Sequence, residues 1–268
     1  MIVFRREENN PSLDLLGRLP LDEHQLHIWQ IPLSSHESPV FRQLLSEEER
    51  NRADQFLLER QRHRYSSCRG AVRTILGRYL DICPADLRIL THEHGKPFVS
   101  AEQNGKNLRF NISHSADKAL LAVGIGHEVG VDLERIRAIR GLEGMVARCL
   151  VETETAGMRS RHPEERNQQF LRYWTHKEAF LKAHSLGIRV PLQQVVVELG
   201  ASPRHRIVNQ RQLAGQRPAS TVFELSLGDL YVGAAAWTSM QPCEVWYHTW
   251  IDNFDSDDQI GGKVEDEQ

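Results

Sequence analysis

Apolar spacing divides the chain into two runs of helix followed by strand. Ser46 and Glu49, three residues apart, form a capping-box pattern that opens a helix over Glu47–Glu59. A second helix, His63–Leu80, repeats Ala71, Val72, Ile75, Leu76 and Tyr79 at helical spacing, with Gly77 and Pro84 near its close. The pattern then shortens to strand-like pieces, LRIL, KPFV, LRFNIS, ALLAVGI and VGVDLE, parted by Gly, Asn, Asp and His. Helical spacing returns in GLEGMVARCL and QQFLRYWTHKEAFLKAHSLGI. After Pro191 the chain reads as strand again in VVVEL, TVFELSL, LYVGAAAW and CEVWYH. Shifting the chain by 105 residues lays Leu45 and Glu47 over Leu150 and Glu152 and overlaps the long helices, a faint internal repeat.

Two segments put charge where the pattern expects apolar contact. In VGVDLE, Val131 and Leu133 alternate with Asp132 and Glu134, so a strand buries the first pair and projects both carboxylates from its other face. Their Cα atoms then lie about 6.6 Å apart, close enough to repel unless solvated or neutralised by a hard cation such as Mg²⁺. On a helix over 170–183, Phe170, Leu171, Trp174 and Leu181 share an apolar band, and Glu178 and Lys182 flank Leu171 at its border. They form an i, i+4 pair, which is either a surface salt bridge or a carboxylate for metal or proton beside an ammonium for phosphate.

HGKPF holds Lys96 in a turn fixed by Gly95 and Pro97, either an exposed lysine or an anion ligand. FNISHS sets Asn111, Ser113 and Ser115 on alternate positions. His114 adjoins Ser113, but neighbours on a strand face opposite ways, which argues against a serine hydrolase. Arg50, Arg52, Arg60, Arg62, Arg64 and Arg69 gather upstream, as a solvated helix face or, for one or two of them, ligands of an anionic cofactor.

Composition narrows the picture. Net charge is −3. The stretch 252–268 holds seven acidic residues and one lysine, leaving a mildly basic body suited to an anionic ligand rather than bulk nucleic acid. That tail is expected to be disordered. Cys68, Cys83, Cys149 and Cys243 lack metal or disulfide spacing and are expected as core thiols. Neither a membrane-length apolar run nor a secretory signal is evident, so a cytoplasmic protein is expected.

HGKPF, FNISHS, VGVDLE and YWTHKEAFLKA, in this order within about Leu44–Leu192, resemble the Sfp-type 4′-phosphopantetheinyl transferase family. The resemblance implies an α+β fold of two similar α/β halves, each a small antiparallel sheet packed on a long helix, with the cofactor between them. The halves are expected at 1–127 and 128–250, with 251–268 as the tail. It also implies transfer of phosphopantetheine from coenzyme A to a serine of apo acyl or peptidyl carrier proteins, by a monomer that uses neither membrane nor nucleic acid. Asp132, Glu134 and Glu178 would bind Mg²⁺. Lys182 would meet the pyrophosphate, with Glu178, Lys182 and Asp132 as the catalytic set. His114 would contact phosphate, Lys96 and Ser113 would lie near the adenosine and its 3′-phosphate, and Arg52 and Arg64 near that phosphate. Arg135, Arg137 and Arg140 would face an acidic carrier, unless they are merely solvated. Where many members of the family have W-S-x-K-E, this chain has Trp174, Thr175, His176, Lys177 and Glu178, which keeps a hydroxyl at 175 and puts a titratable imidazole at 176, beside Glu178 in sequence. A Mg²⁺-dependent coenzyme A or nucleotide hydrolase and a non-catalytic coenzyme A-binding module are the rival readings.

Overall fold

The computed structural model describes residues 2–6, 18–33, 36, 38–93, 95–159, 161–186, 190–199, 206–209, 220–239, 241 and 243–251. The tail 252–268, where disorder was expected, lies outside them.

Strands β1 (Ile2–Arg6) and β2 (Gln25–Pro32) precede helices α1 (Pro39–Leu44), α2 (Glu47–Asp54) and α3 (Glu59–Leu80). The hairpin β3 (Ile89–Thr91) and β4 (Pro97–Val99) follows, then β5 (Leu108–Ser115), β6 (Lys118–Ile125) and β7 (Val129–Arg135). Helices α4 (Leu142–Cys149), α5 (Glu152–Arg159) and α6 (Arg166–Ala183) lead to β8 (Val196–Val197), β9 (Arg206–Asn209), β10 (Thr221–Glu224), β11 (Tyr231–Trp237) and β12 (Cys243–Thr249).

The capping box forms as expected: Glu49 N donates to Ser46 Oγ and Ser46 N to Glu49 Oε2. The first helix is shorter than expected and the second begins earlier, because the chain breaks at Gln55–Leu58 with Leu57 fully in solvent. Glycine at 77 is required by the turn that ends α3: a Cβ there would lie 2.5 Å from Ile82 O, and Ile82 N donates to Gly77 O.

Two five-stranded sheets pack face to face, in the orders β1-β12-β2-β6-β5 and β7-β11-β10-β9-β8. Helix α3 covers the outer face of the first through Trp29, Ile31, Val72 and Ile75. The outer face of the second is covered by α6, through Phe180, Val222 and Ala234. Leu26, Ile28, Leu120, Val131, Leu133 and Phe223 fill the space between the sheets. Each half is thus a sheet on a long helix, and the repeat is explicit. Moved by 105 residues, Glu47–Asp54 falls on Glu152–Arg159. The ladder β2-β6-β5 has its counterpart in β7-β11-β10.

Two features differ from the expected halves. Strand β12, from the C-terminal stretch, pairs parallel with β2, so the first sheet is mixed and is completed by residues beyond 128. Of the four cysteines, Cys83 is exposed rather than in the core. Burial raises the Cys68 thiol to about 11 and the Cys243 thiol to about 12, so both stay protonated at neutral pH.

Candidate active site

Strand β7 keeps the expected alternation. Val131 and Leu133 enter the core between the sheets, while Gly130 and Asp132 turn toward α6. Gly130 decides how close the helix comes: a Cβ there would lie 2.0 Å from Ala179 O and 2.5 Å from Ala183 N. Only glycine lets the last turns of α6 rest on the strand, which brings Lys182 down to Asp132.

Asp132 is 5% exposed. Its Oδ1 accepts from Lys182 Nζ at 2.6 Å and from Ser113 Oγ at 2.8 Å, while Oδ2 is buried without a hydrogen-bond partner among the described residues. Glu134 Oε2 accepts from Ser115 Oγ at 3.0 Å. Burial first, and then the charge of Asp132, holds the Glu134 and Glu178 carboxyls above the usual carboxylate range. Glu134 and Glu178 thus sit in the field of Asp132, where burial and like charge disfavour their ionisation. Among the described residues no three such groups already stand as a metal-holding cluster. The donor set still suits a hard divalent cation: carboxylate oxygens, one of them buried and unpartnered, whose repulsion a cation would relieve.

Strands β5 and β7 are edges of different sheets, joined by a ladder of side chains. Asn111 Oδ1 accepts from Val131 N at 2.9 Å, Ser113 Oγ donates to Asp132, Ser115 Oγ donates to Glu134, and Arg135 N donates to Ser115 Oγ. The alternate positions of FNISHS are thus the seam between the halves. Ser113, expected near the adenosine, lies in this seam with its hydroxyl on Asp132, between Ile112 and His114, which line the cleft beside α3. That ladder was visible in the spacing, since three polar side chains two apart must share one strand face.

A cleft of roughly 680 Å³ runs along α3 and the β3–β4 hairpin, lined by Phe56, Arg64, Tyr65, Thr91, Pro97 and His114 among others. Among the described residues its lining runs from Leu33 to Ala116 and includes His114 but not Asp132, Glu134 or Glu178. His114 is exposed, yet the protein atoms around its ring and then the nearby Lys182 ammonium hold its pKa below the ordinary value. A neutral imidazole there can donate one hydrogen bond to an anion. Arg64 lines the cleft with its Nε buried and without a hydrogen-bond partner among the described residues. Arg52 is exposed on α2 and does not line it. Arg69 and the buried Arg73 are committed to Glu49.

Lys96 differs from expectation. Its ammonium is buried and donates to Glu128 Oε2 at 2.6 Å, Val129 O at 3.0 Å and Ala183 O at 3.2 Å, so all three of its N–H groups are used within the protein. His176 is fully buried, with Nδ1 on Arg172 O at 2.7 Å, and does not stand on the Glu178 face of α6. Arg135, Arg137 and Arg140 are exposed on the stretch that leaves β7.

Lys177, between His176 and Glu178, was given no role by the sequence. It is wholly buried and donates to Glu154 Oε2, Cys149 O and Leu192 O at 2.6, 2.9 and 3.1 Å. Glu154 in turn accepts from Val151 N and Val197 N. The signal was available: Lys177 lies seven residues after Phe170, on the same apolar band.

Residues 128–236 match the 4′-phosphopantetheinyl transferase superfamily, and residues 29–125 match the family described as 4′-phosphopantetheinyl transferase, N-terminal. The chain is 35% identical to 4′-phosphopantetheinyl transferase HetI of Nostoc sp. over 65% of this chain and 70% of that protein. It is 31% identical to 4′-phosphopantetheinyl transferase ffp of Bacillus subtilis and 30% identical to 4′-phosphopantetheinyl transferase Sfp of Bacillus subtilis strain 168. Each of these two matches covers 48% of this chain and 54% of the relative, so the chain spans about half the length of either. With its ordered motifs, doubled architecture and shared carboxylate site, the chain belongs to the Sfp-type 4′-phosphopantetheinyl transferase family.

Proposed function

We propose that this protein moves 4′-phosphopantetheine from coenzyme A to a serine of apo acyl or peptidyl carrier proteins, releasing adenosine 3′,5′-bisphosphate. The observation that carries this reading is the buried Asp132 Oδ2, without a hydrogen-bond partner among the described residues, beside Glu134, Glu178 and Lys182 and within electrostatic reach of His114, which lines the cleft with Arg64. In it the adenosine end of coenzyme A lies in the cleft, and the pyrophosphate reaches past His114 to Lys182. Asp132, Glu134 and Glu178 would hold Mg²⁺, which supplies charge neutralisation and alignment of the pyrophosphate. Lys182 stabilises negative charge on the departing phosphate. Glu178, whose carboxyl burial and then the charge of Asp132 hold above the usual carboxylate range while the metal is absent, would accept the serine proton.

Glu178→Gln tests this assignment in two ways. A carboxyl whose folded pKa is raised above its unfolded value adds stability below the unfolded value and loses it as pH rises through the folded one. The metal-free Gln variant should therefore melt higher than wild type at neutral pH, with a flatter decline of Tm above the ordinary carboxylate range. Its transfer rate should stay low at saturating Mg²⁺, and the acidic limb of the pH–rate profile should vanish. Full rescue by Mg²⁺ at neutral pH would make Glu178 a ligand and not the base. His176→Ala is the control for that limb, since the imidazole stands on the same helix.

Arg64→Ala should weaken coenzyme A by about 1.5 to 3 kcal/mol, the worth of one charge-assisted hydrogen bond, and weaken dephospho-coenzyme A much less. Equal losses in calorimetric titrations of the two ligands would remove Arg64 from the 3′-phosphate. The exposed Arg135, Arg137 and Arg140 offer an acidic carrier a positive approach to Glu134 and Asp132. Charge reversal of Arg137 and Arg140 should raise the carrier KM and flatten its salt dependence while the coenzyme A KM stays put. A carrier KM that does not move places the dock elsewhere.

A further inference from the structure

Lys96 stands where three elements meet. The β3–β4 turn that carries it is closed by Gly95 N donating to His92 O and His92 N donating to Lys96 O, with Gly95 at a φ of 83°. Thr91, Gly95 and Pro97 of the same hairpin line the cleft. From that turn the ammonium reaches Val129 O, at the start of the strand that carries Asp132 and Glu134. It also reaches Ala183 O, at the end of the helix that carries Glu178 and Lys182, where a cation complements the helix dipole. Its third donor goes to Glu128, which Arg109 also meets at 3.3 Å. The Gly130 contact lets strand and helix touch, and Lys96 closes the end of that contact.

We propose that Lys96 is a positioning residue, whose ammonium bolts the cleft wall to the adjoining ends of β7 and α6 and so sets Asp132 and Glu134 against Glu178 and Lys182. The inference rests on the transferase reading for its kinetic consequence and on the hydrogen bonds alone for its structural one. A coenzyme A ligand would act on affinity, whereas a bolt acts on the rate of the bound complex.

Lys96→Met and Lys96→Arg in the full chain test it. For the Met variant, kcat with coenzyme A, Mg²⁺ and apo carrier protein should fall roughly 10- to 100-fold, as misplacement of reacting groups by an ångström does. The Kd for coenzyme A, measured by calorimetry without carrier, should stay within about twofold, the signature of a lost transition-state arrangement. Hydrogen exchange should quicken in 129–135 and 178–184 and nowhere else as strongly, and the Arg variant should recover part of both losses. An unchanged kcat in the folded Met variant overturns the proposal. So does a fall in coenzyme A affinity that spares dephospho-coenzyme A, because Lys96 would then be a phosphate ligand. If the Met variant does not fold, Glu128→Gln removes only the charge and should give the same pattern at smaller size, and an unchanged kcat there also overturns it. A wild-type chain that modifies no carrier defeats the transferase reading, while the exchange comparison still judges the bolt by itself.

Discussion

Asp132→Asn is expected to lower phosphopantetheine transfer by roughly 10²- to 10³-fold or more, the scale seen when one preorganised electrostatic group is removed from an active site. The fold should survive. The Asn carbonyl oxygen can still accept from Lys182 and Ser113, while the amide replaces the unpartnered Oδ2 with a donor that repels a cation. Asp132→Ala is the less clean change, because it strips Lys182 and Ser113 of a shared acceptor, so it is not the costless substitution that relief of carboxylate repulsion alone would suggest. Removing the charge at 132 should also lower the pKa values of Glu134 and Glu178, both of which it raises. Transfer by the Asn variant at the wild-type rate, measured by intact mass of the carrier, would show that the site has been wrongly assigned.

The largest loss of stability is expected from Lys177→Met. The Lys177–Glu154 pair is at most 1% exposed at either side chain, and burial alone lowers the pKa of the ammonium. Removing one partner of such a pair costs about 3–5 kcal/mol because the other charge is left uncompensated. Glu154 would keep its two backbone donors, Val151 N and Val197 N, which places the cost toward the lower end. Denaturant unfolding should show the loss at unchanged m. Glu154→Gln added to Lys177→Met should return part of it, since no buried charge then remains. If Lys177→Met unfolds at the wild-type midpoint, the pair does not hold α6 to α5 and the 192 turn. The consequence reaches function, because Lys177 anchors the helix whose next residue is Glu178.

Much of this site was legible because local periodicity fixed it. The alternation of VGVDLE put both carboxylates on one face, and the capping box and the helix-then-strand order repeated at 105 residues gave the doubled frame. What was not legible depends on non-local pairing or on the direction of one side chain. QLHIWQIP, now β2, shows no alternation because its sheet is covered on both faces, so Leu26 and Ile28 are as buried as Trp29 and Ile31. Strand β12 joins the first sheet across more than a hundred intervening residues, a parallel pairing that no local pattern announces. Lys96 was placed in its turn, but whether its ammonium points outward to a ligand or inward to Val129 O and Ala183 O depends on packing. Lys177 was missed because a lysine on an apolar band is ordinarily an exposed neighbour of that band. Only the acceptors supplied by Glu154, Cys149 and Leu192 make burial tolerable.

One measurement bears most directly on the transferase assignment. Purified protein is incubated with coenzyme A, Mg²⁺ and a panel of apo-carrier proteins, and the carriers, adenosine 3′,5′-bisphosphate and free phosphopantetheine are quantified together by mass spectrometry. The geometry predicts that at least one carrier gains one phosphopantetheine group on serine, with an equal amount of adenosine 3′,5′-bisphosphate released, and that Asp132→Asn forms neither product at a comparable rate. Release of free phosphopantetheine with every carrier left unmodified would contradict transfer and make the same carboxylates those of a hydrolase.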